Sequence, residues 1–150
     1  MVSPVLYEVF VGLAINFIEF TGSVTFILIV LFCVISSTAV TTKLELFTSA
    51  LYISSQWDGN LDTLSKAKTP LYIVIGENDS YYGSTKAKNA YNNLYQIYKK
   101  QGMDDEEINN ILVLDVKNHE YFTSQGMKDE HAGLGLFAYD SNVMNWFFSK

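Results

Sequence analysis

The sequence contains no arginine, one cysteine, two prolines and two histidines in 150 residues. Without arginine there is no forked, permanently charged donor for phosphates or guanine edges, and the net charge of −6 repels a polyanion. Both facts argue against nucleic acid as a partner. The single cysteine, Cys33, cannot close an intramolecular disulfide and sits in an apolar run with no histidine or lysine beside it, so it reads as a packing residue. Charge is also scarce at the amino-terminal end. Residues 1–42 carry only Glu8 and Glu19, whereas lysines, acids and amides alternate from Lys43 onward. What the chain does have is apolar matter: 49% hydrophobic and 15% aromatic residues exclude disorder or low complexity for the chain as a whole. Its length suits one core, not two.

The composition divides the chain near Lys43 into an apolar segment, 1–42, and an ordinary globular segment, 43–150. Residues 20–42 hold no basic side chain and no acidic one, a run long enough to cross a bilayer, which takes about 20 residues. Three readings follow. A membrane-spanning helix would anchor the protein and make it membrane-associated, with its orientation unspecified because Lys43 is the one nearby cation. A signal peptide lacks its basic flank and a clean small-residue cleavage site. Buried strands of a globular core suit the β-branched content, with Pro4, Gly12 and Gly22 as punctuation. A foreign leader on a gene fragment would have the same composition.

From Lys43 onward a regular alternation appears. Residues 50–55, A-L-Y-I-S-S, form a strand candidate ending at the turn-forming Q-W-D-G-N. A polar interval of helical length follows. Residues 71–76, L-Y-I-V-I-G, bounded by Pro70 and Gly76, form a strand with both faces buried. After E-N-D-S-Y-Y-G, Ser84 can cap a helix with Ala87, Tyr91, Leu94 and Tyr98 on one face, stopping near Gly102. The acids of residues 104–107 suit the first turn of a short helix; they lack the alternating spacing of a calcium loop. Residues 111–116, I-L-V-L-D-V, form the next strand, followed by a polar loop, 117–133, that holds His119 and His131. Asp140 or Ser141 caps a terminal helix carrying Val143, Met144, Phe147 and Phe148. Strand–helix alternation predicts an α/β fold with a parallel sheet, whose ligands gather at the carboxyl ends of the strands. Asp79 and both histidines lie just past such ends.

A carboxylate and an imidazole on neighbouring loops there can make two thirds of a Ser-His-Asp relay: the acid fixes the imidazole tautomer, and the imidazole takes a proton from a hydroxyl. Asp79 between Asn78 and Ser80 also suits a plain turn. The neighbouring pairs His119–Glu120 and Glu130–His131 lack the helical spacing of a zinc motif, and no metal or cofactor is expected.

Four blocks, A-L-Y-I-S-S-Q-W-D-G, P-L-Y-I-V-I-G-E-N-D-S-Y-Y-G, I-L-V-L-D-V and the ending from H-A-G-L-G-L-F-A-Y-D to W-F-F, together resemble the carboxyl-terminal part of an α/β-hydrolase in the esterase and prolyl-oligopeptidase-like branch. The likeness spans about two thirds of the chain. It implies the last three parallel strands of that sheet with flanking helices, Asp79 as triad acid, and His131 as base with His119 as the alternative. Tyr81 and Tyr82 would border a cleft for a small ester or peptide-like substrate. The chain departs from the family in having no G-x-S-x-G elbow. Ser23 follows Gly22 but has no glycine two positions on, and Ser36, Ser37, Ser54 and Ser55 have no elbow glycines, so the nucleophile is unassigned. The expectation is a truncated or divergent serine hydrolase that is a poor catalyst alone. The alternative is a non-catalytic, membrane-anchored interaction module; oligomeric state is not specified by either.

Overall fold

A computed structural model describes residues 9–10, 13–20, 23–30, 47–55, 57, 59–131 and 134–150. Its sheet runs in chain order, β1 (Val9–Phe10), β2 (Leu13–Phe20), β3 (Ser23–Val30), β4 (Phe47–Ile53), β5 (Leu71–Gly76) and β6 (Leu112–Lys117). The first three strands form an antiparallel meander, and β3 to β6 are mutually parallel. The three parallel strands expected after Lys43 are thus present as β4, β5 and β6, joined through helices as the alternation requires.

Of the run 20–42, read as a possible spanning helix, the structure describes Phe20 and residues 23–30; residues 21–22 and 31–42 lie outside the described residues. Ser23–Val30 is a strand, paired with β2 on one side and β4 on the other. Its V-T-F-I-L-I-V composition is β-branched and aromatic, which suits a pleated surface with neighbours on both sides. No helix among the described residues is long and apolar enough to cross a membrane. Pro4, Gly12, Gly22, Cys33, Ser36, Ser37 and Lys43 lie outside the described residues, and so do the readings that rest on them.

Two apolar layers follow from the alternation of side chains along the parallel strands. Ala50, Tyr52, Leu71, Ile73, Ile75 and Leu112 face one side. Against them pack α1 (Leu61–Ala67) through Leu64, α2 (Thr85–Lys100) through Ala87, Leu94 and Tyr98, and α3 (Asp105–Ile111) through Ile108. Leu51, Ile53, Tyr72 and Val74 face the other side. There they meet Phe122 of α4 (His119–Thr123), Phe137 of α5 (Leu134–Tyr139), and Val143 and Phe147 of α6 (Ser141–Phe148). Every residue of β5 is buried, as its unbroken apolar run predicts. Each of its buried Leu, Ile and Val side chains contributes about 1.5–3 kcal/mol of hydrophobic stabilisation.

The helix ends show which capping signals the sequence displayed. Asp104 accepts from the Glu107 backbone N–H while Glu107 reaches back to the Asp104 N–H, a reciprocal box that starts α3. Asp140 accepts from the Asn142 and Val143 N–H groups and starts α6. Ser84 precedes α2 without a side-chain cap: its backbone is already helical (φ −84, ψ −10) rather than extended, and its hydroxyl donates to the Glu77 carbonyl. The stretch read as a polar loop contains a turn and a half of helix, α4, capped by the Asn118 side chain on the Tyr121 N–H. The parallel strands share one carboxyl edge, and the chain leaves β5 and β6 there into the two loops that carry Asp79 and His131.

Candidate functional site

Asp79 sits three residues beyond Gly76, in a loop that its own carboxylate shapes. Oδ1 accepts the Tyr82 N–H at 2.7 Å and the Tyr81 N–H at 2.9 Å, while the Asp79 carbonyl accepts the Gly83 N–H at 3.0 Å. Gly83, at φ +64, supplies the left-handed residue that closes the turn. The turn-forming and the chemical readings of Asp79 are therefore compatible, because they use different oxygens. Oδ2 remains, and the His131 ring nitrogen Nδ1 lies 2.8 Å from it. The Asp79 side chain is fully buried and that of His131 is 19% exposed, so the pair is shielded on the acid side and open on the imidazole side. With its proton on Nδ1, His131 donates to the acid and keeps Nε2 unprotonated, the form in which that nitrogen can act as a base.

The second loop is fastened to the first by adjacent contacts. Asp129 Oδ1 accepts the Ser80 hydroxyl and the His131 backbone N–H, both at 2.9 Å. These two bonds, His131's first, hold the Asp129 carboxyl below its ordinary value. Glu130 is 3% exposed; its Oε2 accepts the Asn78 N–H at 2.6 Å, and its Oε1 accepts from Asn78 Nδ2 at 3.2 Å. Burial pushes the Glu130 carboxyl up, but the donors around it outweigh burial and hold it low.

His119 is placed elsewhere. Its Nδ1 lies 3.1 Å from Glu130 Oε1 and its side chain is 63% exposed, so it pairs with Glu130 rather than with Asp79. Tyr81 and Tyr82 wall His131: the Tyr81 ring stacks on the imidazole at 5.2 Å, and Tyr82 meets it edge-on at 5.5 Å. Tyr81 is 73% exposed. Ser54, which follows β4 at φ +44, and Ser55 are both buried, and their hydroxyls have no partner among the described residues. Neither is bonded to His131. Among the described residues no three of His, Cys, Asp and Glu form a metal-holding group. A shallow depression of about 440 Å³ opens beside the loops, lined by Asn78, Ser80, His119, Lys128, Asp129 and Glu130.

Asn78, Asp129 and Glu130 were not singled out by sequence reasoning as parts of the site. The available signal was positional: Asn78 precedes Asp79 as Glu130 precedes His131, so any pairing of the second members brings the first members close.

No family model matches the chain, and no curated protein matches it. Among solved structures it is similar to the crystal structure of a thermostable esterase, with a TM-score of 0.54 and 17% identity over 75% of this chain. The match covers 26% of the esterase chain. At that identity the likeness is one of fold: parallel strands with flanking helices, of the α/β type seen in that hydrolase.

Proposed function

We propose that the chain carries the acid and the base of a serine-hydrolase relay, Asp79 and His131, within the carboxyl-terminal part of an α/β-hydrolase fold. The reaction is acyl transfer from a carboxylic ester or peptide-like carbonyl to water. The observation that carries this reading is the 2.8 Å contact between Asp79 Oδ2 and His131 Nδ1, with Oδ1 already committed to two backbone N–H groups. An acid so held cannot rotate away from the imidazole. It fixes the tautomer with Nε2 unprotonated and stabilises the imidazolium that forms when Nε2 takes a proton from a hydroxyl or a water. The same proton then passes to the leaving group. The face of Tyr81 and the edge of Tyr82 keep the ring in its plane and border the approach to it.

General-base action of this kind is worth about 10²–10⁴-fold. The test is hydrolysis of p-nitrophenyl acetate by the native chain, compared with Asp79→Asn, His131→Ala and His119→Ala. The expected result is a rate above the buffer background that falls by about 10²-fold or more in the first two variants and is kept in the third. A background rate from folded protein, or equal rates in all four, would overturn the assignment. Treatment with a fluorophosphonate then locates the nucleophile: one adduct on native but not denatured protein places it within this chain.

A further inference from the structure

We infer that Glu130 is a positioning residue for the Asp79–His131 pair, acting through the backbone on both members at once; this rests on the function proposed above. Three cross-loop contacts lie side by side, Asn78 with Glu130, Asp79 with His131 and Ser80 with Asp129. The first of them differs from the third in burial and in the number of bonds. Glu130 is almost wholly buried and accepts from the Asn78 N–H, from Asn78 Nδ2 and from His119 Nδ1. A carboxylate taken out of water is costly unless donors surround it, and three here do so.

Those donors define what the carboxylate controls. The 2.6 Å bond fixes the peptide that leads into Asp79, and so the place from which the acid projects. Glu130 itself is the residue before His131, so the same side chain fixes the peptide that leads into the base. It also rests on the end of β5, since a Cβ added to Gly76 would lie 2.5 Å from Glu130 Cβ and 2.9 Å from Oε2. Both loops are thus referenced to one rigid point, the carboxyl end of a fully buried strand. His119, the alternative base in the sequence, gains a role in this arrangement: from the first turn of α4 it donates to Glu130 Oε1 and completes the carboxylate's donor set.

A misplacement of about 1 Å between acid and base costs about 10²-fold in rate. The experiment compares wild type, Glu130→Ala and Glu130→Gln by two readouts, the nitrogen chemical shifts that report the His131 tautomer at alkaline pH, and kcat and KM for p-nitrophenyl acetate. Expected is loss of the Nδ1–H tautomer preference of His131 in Glu130→Ala, with kcat down about 10- to 100-fold and KM unchanged. Glu130→Gln, which keeps an acceptor for the Asn78 N–H, recovers part of both. Retention of the wild-type tautomer and kcat in folded Glu130→Ala would overturn the inference. Should that variant not fold, Glu130→Gln decides: a shifted tautomer balance with lowered kcat supports the role, and wild-type values in both overturn it. The tautomer readout needs no turnover, so a chain without esterase activity refutes the proposed function while the positioning role is still tested.

Discussion

Gly76 and Glu130 touch where no side chain larger than hydrogen fits: a Cβ on Gly76 would stand 2.5 Å from the Glu130 Cβ. The glycine that ends β5 is therefore a seat for the loop carrying His131, required by close approach. Gly76→Ala must push Glu130 outward, away from Asn78, and should cost about 1–3 kcal/mol as an overpacking change. Urea denaturation of the two proteins measures it. A midpoint equal to wild type would show that Glu130 has another place to go.

Besides the exposed Asp129, two more shielded acids at this end of the molecule, Glu130 and Asp140, are held below their ordinary values. In each, burial works upward and is outweighed, by the Asn78 bonds for Glu130, and by Lys117 and the Asn142 N–H for Asp140. A carboxyl depressed in the folded state adds stability that is complete above its unfolded value and is lost as pH falls through the folded one. Stability should thus be level near neutrality and decline below about pH 4, where carboxylates begin to protonate in the unfolded chain. Glu130→Gln should flatten the decline. A urea midpoint that does not change on acidification would contradict this balance.

Lys117 bridges Asp115 at 2.8 Å and Asp140 at 2.9 Å, and its ammonium lies 4.8 Å from the centre of the Tyr121 ring. Burial alone would lower the lysine; the two carboxylates outweigh it and raise its value. Because Asp140 caps α6 and Tyr72 donates to Asp115, this cation ties β6 to the terminal helix across the second apolar layer. Lys117→Met leaves two partly buried acids facing each other and should destabilise by about 2 kcal/mol, less than the 3–5 of a fully buried broken pair. Thermal unfolding reads it, and the double variant Lys117→Met, Asp115→Asn should recover part of the loss.

Tyr81 is largely exposed, so its removal has little effect on folding, but its face covers the His131 ring. An exposed cation–π contact is worth about 0.5–1 kcal/mol, and it is strongest when the imidazole is charged. Tyr81→Ala should therefore slow p-nitrophenyl acetate hydrolysis by about two- to fivefold with the urea midpoint held within about 0.5 kcal/mol. A stability loss matching the rate loss would assign Tyr81 to packing instead.

The strands after Lys43 were readable because each is a short apolar run between proline, glycine or polar turns, with β5 the clearest. Asp79 and His131 were readable as residues beyond strand ends, and their pairing needed the fold. The loop between β6 and α5 was not readable: α4 is five residues long, too short for any periodicity, and its one visible sign was the capping residue Asn118. Ser84 misled in a smaller way, since a serine before a helix can bond elsewhere, here to the Glu77 carbonyl. The uncharged run was ambiguous by nature. A strand with neighbours on both sides and a membrane segment both exclude charge, and only pairing partners distinguish them. Glu130 was hidden because an acid in a polar loop is usually solvated, and its burial depends on a glycine 54 positions earlier.

The central claim is that Asp79 and His131 act as one unit on a proton. A double-variant cycle on p-nitrophenyl acetate hydrolysis tests it most directly, with Asp79→Asn, His131→Ala and the two together. Groups that act as a unit are strongly non-additive, so the double variant should be no slower than His131→Ala alone. Losses that multiply, each variant removing its own factor from the rate, would mean that the two side chains work independently and would contradict the account.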